Sequence, residues 1–241
     1  MGDRTAKNAL YDGFAQVARA LASGRRAEIV DLLAQGERSV EEVAAEIDQS
    51  VANTSQHLRV LARSGLVRTR REGNRIFYGL SGTHVAALWT AVREVAADYT
   101  ADIDRLAAAY LGDRTGLETV TREDLLQRLH DGTVTVLDVR PAAEYRAGHI
   151  PSARSVPLSR LHAELAALPA DGEIVAYCRG PYCIYADEAV RELRRHGRQA
   201  SRLEDGFPEW AHADLPVAAG APDQDDADAR TGPATSLRKD T

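Results

Sequence analysis

The sequence predicts two domains: a mainly α unit built on a helix-turn-helix with a β wing, then an α/β unit with a parallel sheet. Three observations carry this. Apolar residues recur at helical spacing through residues 7–64 and give way to a hairpin pattern at 66–80. Beyond residue 117, short apolar strands alternate with helical stretches, the order that builds a parallel sheet. Both cysteines of the chain, Cys178 and Cys183, fall in one Gly/Pro loop between such a strand and the helix after it. A chain of 241 residues has room for one or two domains.

In the first domain, Leu10, Phe14, Val17, Ala18 and Leu21 mark an amphipathic helix over residues 7–22. Residues 25–33 form a second helix, closed by Gly36. Ser39 has the look of an N-cap, with Glu41 and Glu42 in the first turn of a short helix to Ile47. After the turn at Asp48, Gln49 and Ser50, a helix over 51–64 faces Val51, Leu58 and Leu61 inward and ends at Gly65. Two alternating strands then flank Glu72, Gly73 and Asn74, a hairpin signal. Helix, turn, helix, hairpin is the order of a winged helix-turn-helix, whose second helix enters the major groove of DNA.

The exposed face of that second helix is expected to carry Asn53, Thr54, Ser55, Gln56, His57 and Arg59, short polar and basic groups suited to base edges and phosphates. From residue 50 to 80, Arg59, Arg63, Arg68, Arg70, Arg71 and Arg75 stand against Glu72 alone. That local excess of cations in a chain of net charge −6 is the footprint of a nucleic-acid surface, with Arg70, Arg71 and Arg75 in the wing. Residues 54–67, with 71–78, closely resemble the ArsR/SmtB family of bacterial repressors over about residues 8–108. The resemblance implies a homodimer on double-stranded DNA at an inverted repeat, blocking transcription until a signal arrives.

Many members of that family sense metals, but the ligands are missing here. No cysteine lies in this half, and the last helix, over 84–110, offers His84 with Glu94, Asp98 and Asp102 spread along it. Metal sites need several converging donors, so no metal is expected. The same helix carries Val85, Leu88, Trp89, Val92, Val95, Ala96, Tyr99, Ile103 and Leu106, a long stripe that reads, with the first helix, as a dimer seam. Residues 1–110 thus form the DNA-binding and dimerisation domain, and 111–116, with two glycines, a linker.

In the second domain, over 117–217, Thr121 caps a helix carrying Leu125, Leu126 and Leu129. Residues 134–140 form a buried strand ending in Asp138 and Arg140. A helical turn at 141–146 is broken by Gly148 to Pro151. A short strand at 155–158, a helix at 161–168 and a strand at 173–177 lead to the cysteine loop. Its helix, a weak strand at 199–203, and Gly206 to Trp210 complete the unit. Sites in such sheets lie at the carboxyl ends of strands, where Cys178 is placed. A cysteine there, facing a helix N-terminus with Arg179 beside it, favours thiolate over thiol.

The loop Cys178, Arg179, Gly180, Pro181, Tyr182, Cys183 resembles the six-residue active-site loop of rhodanese (sulfurtransferase) domains. The segments around Asp138 and Arg140, Glu144 to Pro151, and Gly206 to Trp210 follow the order of that family. The resemblance implies a persulfide on Cys178. Asp138 and Arg140 read as a supporting charge pair, and His149 as structural.

No apolar run approaches the roughly 18 residues of a membrane span, and no signal peptide is evident. Two cysteines in a chain this long are not a disulfide framework, so a reducing cytoplasm is the expected compartment. No cofactor is expected. Residues 218–241 read as a disordered acidic tail.

A repressor unit with no sensor of its own, joined to a cysteine domain, suggests that the second half senses for the first. Thiosulfate, polysulfide or persulfide, or an oxidant, is expected to act at Cys178. Cys183 then resolves, through a disulfide or a sulfur-bridged link. The alternative is an active sulfurtransferase whose DNA-binding half gives autoregulation.

Overall fold

The computed structural model describes residues 2–220. The first domain opens with α1 (Arg4–Leu21), α2 (Gly24–Leu33), a short β1 (Arg38–Ser39) and α3 (Val40–Glu46). Then follow α4 (Val51–Arg63), the hairpin β2 (Val67–Glu72) and β3 (Arg75–Leu80), α5 (Thr83–Tyr99) and α6 (Ile103–Leu111). The second domain comprises β4 (Thr119–Val120), α7 (Arg122–His130), β5 (Val134–Asp138), α8 (Ala142–Ala147), β6 (Arg154–Ser155) and α9 (Leu158–Glu164). It closes with β7 (Glu173–Tyr177), α10 (Tyr185–Arg195), β8 (Gln199–Leu203) and α11 (Phe207–His212).

Local chemistry explains the helix-turn-helix. Ser39 and Glu42 form a reciprocal capping box: the Ser39 N–H donates to Glu42 Oε2 at 2.7 Å and the Glu42 N–H to Ser39 Oγ at 3.3 Å. Ser50 Oγ accepts from the Asn53 N–H at 3.2 Å and starts α4. Ile29, Val43, Leu58 and Leu61 are fully buried and hold α2, α3 and α4 together. The hairpin turns at Gly73, whose φ of 58° lies in the left-handed region. The wing gains a third strand: β1 pairs antiparallel with β3, Arg38 opposite Tyr78.

Several expectations are corrected. Val51 is exposed, not inward, because it opens α4 on the solvent side. The single last helix is two, broken at Thr100–Asp102. The broad apolar stripe divides as well: Val85 and Trp89 pack on the first core, whereas Leu88, Val92, Val95, Tyr99 and Leu106 are exposed.

The second sheet has the order β4-β8-β7-β5-β6, with every pairing parallel. Its central strands β7 and β5 are buried on both faces, against α9 and α10 on one side and α7 and α11 on the other. Residues 156–158 do not join the strand at β6, and the helix expected at 161–168 starts earlier, at Leu158, and ends in a short 3-10 turn. The domain also runs past 217: Ala218 and His149 exchange backbone hydrogen bonds at 2.8 and 2.9 Å. Residues 221–241 of the proposed tail lie outside the described residues.

Candidate cysteine site and nucleic-acid interface

The loop leaves the carboxyl end of β7. Cys178 is 1% exposed and is joined to half-buried Cys183 by a disulfide. The Cys178 carbonyl accepts the Phe207 N–H at 3.0 Å, and the Cys183 N–H donates to the Gly180 carbonyl at 3.1 Å. The loop presses so closely on the α11 entry that a Cβ on Gly206 would collide with the Gly180 backbone. Gly180 itself has φ of 149°, which few other residues adopt. Pro181 and Tyr182 are half-buried.

Arg179 does not serve the cysteines as a neighbouring cation. Its guanidinium turns to Glu144, with Nε at 3.0 and 3.1 Å from the two carboxylate oxygens and Nη2 at 2.6 Å. Nη1 donates to Glu46, the last residue of α3 in the first domain. Burial opposes the Arg179 charge, yet the hydrogen bonds and charges of Glu144 and Glu46 outweigh it and raise its pKa. Glu144 is 1% exposed and also receives Arg38 from β1. One buried carboxylate thus holds an arginine from each domain.

Asp138 and Arg140 are fully buried and paired, with Arg140 Nε and Nη2 on the Asp138 carboxylate at 3.0 and 2.5 Å. Arg140 Nη2 also donates to the Gly148 carbonyl at 2.7 Å, and the Tyr177 hydroxyl donates to Asp138 at 2.7 Å. Through these bonds the pair braces β5, β7 and the turn at Gly148. Arg140 Nη1 reaches Gln35 Oε1 at 3.2 Å, and Gln35 Nε2 donates to the Arg179 carbonyl at 3.3 Å. Gln35, 2% exposed just after α2, therefore ties Arg140 and Arg179 of the second domain to the first.

A second contact joins Arg93 of α5 to Glu209 of α11, with Asp31 at 3.4 Å from Arg93. Burial pushes the Glu209 carboxyl up, and Arg93 opposes that shift. The expected linker is also anchored. Arg114 donates to Asp187 at 2.6 Å and to the carbonyls of Pro181 and Cys183 at 2.9 and 3.3 Å. Gln35, Glu46, Arg93 and Arg114 were not legible as site residues. Arg93 carried one signal, a cation inside an apolar stripe.

On α4, Asn53, Gln56 and Arg59 are exposed and Ser55 and His57 half-buried. Thr54 is fully buried and is removed from the DNA-facing set; its position on the helix faces the core beside Leu58. In the wing, Arg71 and Arg75 are exposed without an ion pair among the described residues. Arg70 is held by Glu37 and Glu72 at 2.6 and 2.7 Å, so its charge is already answered. Elsewhere, His162, Glu192 and His196 bring ligand atoms within 4.8 Å of one another on an exposed face, although Arg195 shares the Glu192 carboxylate.

A family model for bacterial regulatory proteins of the arsR family matches residues 23–69, and one for rhodanese-like domains matches 121–213. An HTH-type transcriptional regulator of Mycobacterium tuberculosis is 48% identical over 221 residues, covering 92% of this chain and 97% of that protein. A sulfurtransferase of Allochromatium vinosum is 33% identical over 101 residues, 42% of this chain and 94% of that protein. Among solved structures, a homodimeric winged helix-turn-helix DNA-binding domain from Mycobacterium bovis is 45% identical, covering 42% of this chain and 91% of that fragment at a TM-score of 0.39.

The loop geometry makes one prediction. Gly206→Ala forces the Gly180 backbone away and is expected to lower stability by about 1–3 kcal/mol in denaturant titration, while speeding reduction of the Cys178–Cys183 disulfide. Unchanged stability and reduction rate would show that the two glycines are not in contact.

Proposed function

The chain belongs to the ArsR family of bacterial regulatory proteins and carries a rhodanese-like domain, and on that premise we propose a homodimeric repressor that senses reactive sulfur species or oxidants through Cys178 and Cys183. The observation that carries this reading is the seat of the cysteine loop. Arg179, next to Cys178, holds Glu46 at the end of α3, and Ser50, where the DNA-facing helix begins, follows four residues later. A change in the loop therefore acts directly on the helix-turn-helix.

The chemistry balances without a cofactor. The Cys178 thiolate attacks the terminal sulfur of a polysulfide or organic persulfide; that S–S bond breaks, and the rest of the donor leaves as a shorter polysulfide or as a thiolate. Cys183 then attacks Cys178 Sγ, hydrosulfide departs, and the two cysteines are left joined. The sulfane sulfur is reduced and the two thiols are oxidised. The second reading is a thiosulfate or persulfide sulfurtransferase with an autoregulatory DNA-binding half. It draws on the similarity to a protein named a sulfurtransferase. Sustained turnover of thiosulfate at roughly 1–1000 per second distinguishes it from stoichiometric loading.

Operator contact rests on the exposed Asn53, Gln56, Arg59, Arg71 and Arg75, with Ser55 and His57 at the margin. Arg71→Ala and Arg75→Ala are each expected to weaken binding to all sequences and to reduce the salt slope by about one. Gln56→Ala is expected to relax specificity at one base position by about 1–3 kcal/mol. Titrations over salt and sequence read both effects, and wild-type behaviour in all three variants overturns the assignment.

Dimerisation rests on the exposed apolar faces of α1 and α5, where Leu10, Tyr11 and Phe14 lie open along with Leu88, Val92 and Val95. Leu88→Asp places a charge in that seam and is expected to yield monomers in sedimentation. An intact Leu88→Asp dimer moves the seam elsewhere.

The sensor is tested by mass spectrometry and DNA binding on one sample series. Reduced wild-type protein is expected to load sulfur, close its disulfide and leave DNA. Cys178→Ser neither loads nor leaves. Cys183→Ser loads at Cys178 and forms no internal link. Normal loading and release by Cys178→Ser would overturn the sensor reading.

A further inference from the structure

Between the two domains lies a cavity of about 500 Å³. Gly24 and Ala27 of α2 and Trp89 of α5 form one side, and Tyr182, Cys183 and Tyr185 the other. Cys183 lines it. Cys178 does not, and is 1% exposed. The cavity thus reaches Cys183 of the disulfide, whereas Cys178 stays in the core.

The size selects a class of ligand. Cavities of roughly 300–1,000 Å³ enclose organic molecules of drug-like size, whereas a water-sized solute takes about 30 Å³. Hydrosulfide would leave this space nearly empty. The walls are equally informative: four aromatic rings, Trp89, Tyr110, Tyr182 and Tyr185, stand with Glu28, Asp31 and Glu46 and with Arg93 and Arg179. The wall charges meet in pairs, Arg93 with Asp31 and Arg179 with Glu46, and a molecule bearing both an ammonium and a carboxylate group can lie beside such pairs with each of its charges answered.

We propose that this cavity binds a zwitterionic low-molecular-weight organic thiol, which resets the sensor by attacking Cys183. The inference rests on the sensor reading and supplies its return step. The ligand thiolate attacks Cys183 Sγ, forming a new S–S bond. The Cys178–Cys183 bond breaks, and its electron pair stays on Cys178 Sγ, which takes up a proton. A second thiol then attacks the ligand sulfur of the mixed disulfide, leaving Cys183 as a thiol and the ligand as its symmetrical disulfide. Two ligand thiols are oxidised as one protein disulfide is reduced.

Because the chamber is built from both domains, occupancy and reset occur at the surface through which they touch. The large organic reductant is therefore read by the first domain as well as by the loop. Hydrosulfide, too small to span the walls, reduces the same bond without that engagement.

The test uses the full chain in its disulfide form, with reduced glutathione and sodium hydrosulfide as probes at matched thiolate concentration. Reduction by glutathione is expected to saturate with concentration, and that by hydrosulfide to rise linearly. Acid-quenched samples are expected to carry glutathione on Cys183. Gly24→Phe, at a position where an added Cβ meets nothing within 4 Å, narrows the chamber; Ala27→Phe does so from the next turn of α2. Each is expected to lower the glutathione-to-hydrosulfide rate ratio by about tenfold, as a binding advantage is lost. Linear glutathione kinetics, glutathione found on Cys178, or an unchanged ratio in both folded variants overturns the proposal. Those results leave sulfur loading and DNA release standing. A chain that never closes its disulfide with polysulfide overturns the sensor reading itself.

Discussion

The Glu144 carboxylate is a buried point at which the two halves of this protein meet. It is almost fully buried and is held by Arg179 from the cysteine loop and by Arg38 from the wing sheet. A buried carboxylate is tolerable only when its oxygens are answered, and losing one partner of such a pair typically costs about 3–5 kcal/mol. The loop is therefore not free to choose its position. Arg179 must stay within reach of Glu144, and in that place its remaining nitrogen finds Glu46. The contact between the cysteine loop and the helix-turn-helix follows from the need to satisfy one charge.

Two routes lead from that carboxylate into the DNA-binding half. One runs through Glu46 to the turn before α4. The other runs through Arg38 in β1, whose neighbour Glu37 pairs with Arg68 and Arg70 of the wing at 3.3 and 2.6 Å. Gln35 adds a neutral link to Arg140 and to the Arg179 backbone. Wing and recognition helix thus share one anchor, and a displacement of the loop reaches both. Arg114 fixes the loop from its other end, so the junction between domains is part of the site rather than a tether.

Much of this was legible from residue patterns, for physical reasons. Ser39 with Glu42, and Ser50 before Asn53, announce helix starts because caps are local chemistry. The Gly73 hairpin and the β7–loop–α10 order are equally local. What stayed hidden depends on tertiary contact. Thr54 looked like a polar contact residue, yet the rotation of α4 points it at the core. Arg179 looked like a cation for the thiolate, yet a carboxylate from α8 and another from α3 claim it. Gln35 and Glu46 are ordinary polar residues at helix ends, and only the docking of a domain that begins some seventy residues later gives them a role. The apolar seam was visible as a stripe, but its division into a packed and an open side follows the phase of α5, which turns Val85 and Trp89 to the first core and leaves Leu88, Val92 and Val95 open.

The central claim is that the state of the cysteine pair is transmitted through Arg179 to α3. Hydrogen–deuterium exchange on the full chain, in the disulfide and fully reduced forms, tests it most directly. The account predicts that reduction changes protection in the cysteine loop and also in α3 and the turn at 47–50, with the α3 response lost in Glu46→Gln. A response confined to residues 178–185, with α3 and its turn exchanging identically in both forms, would contradict it.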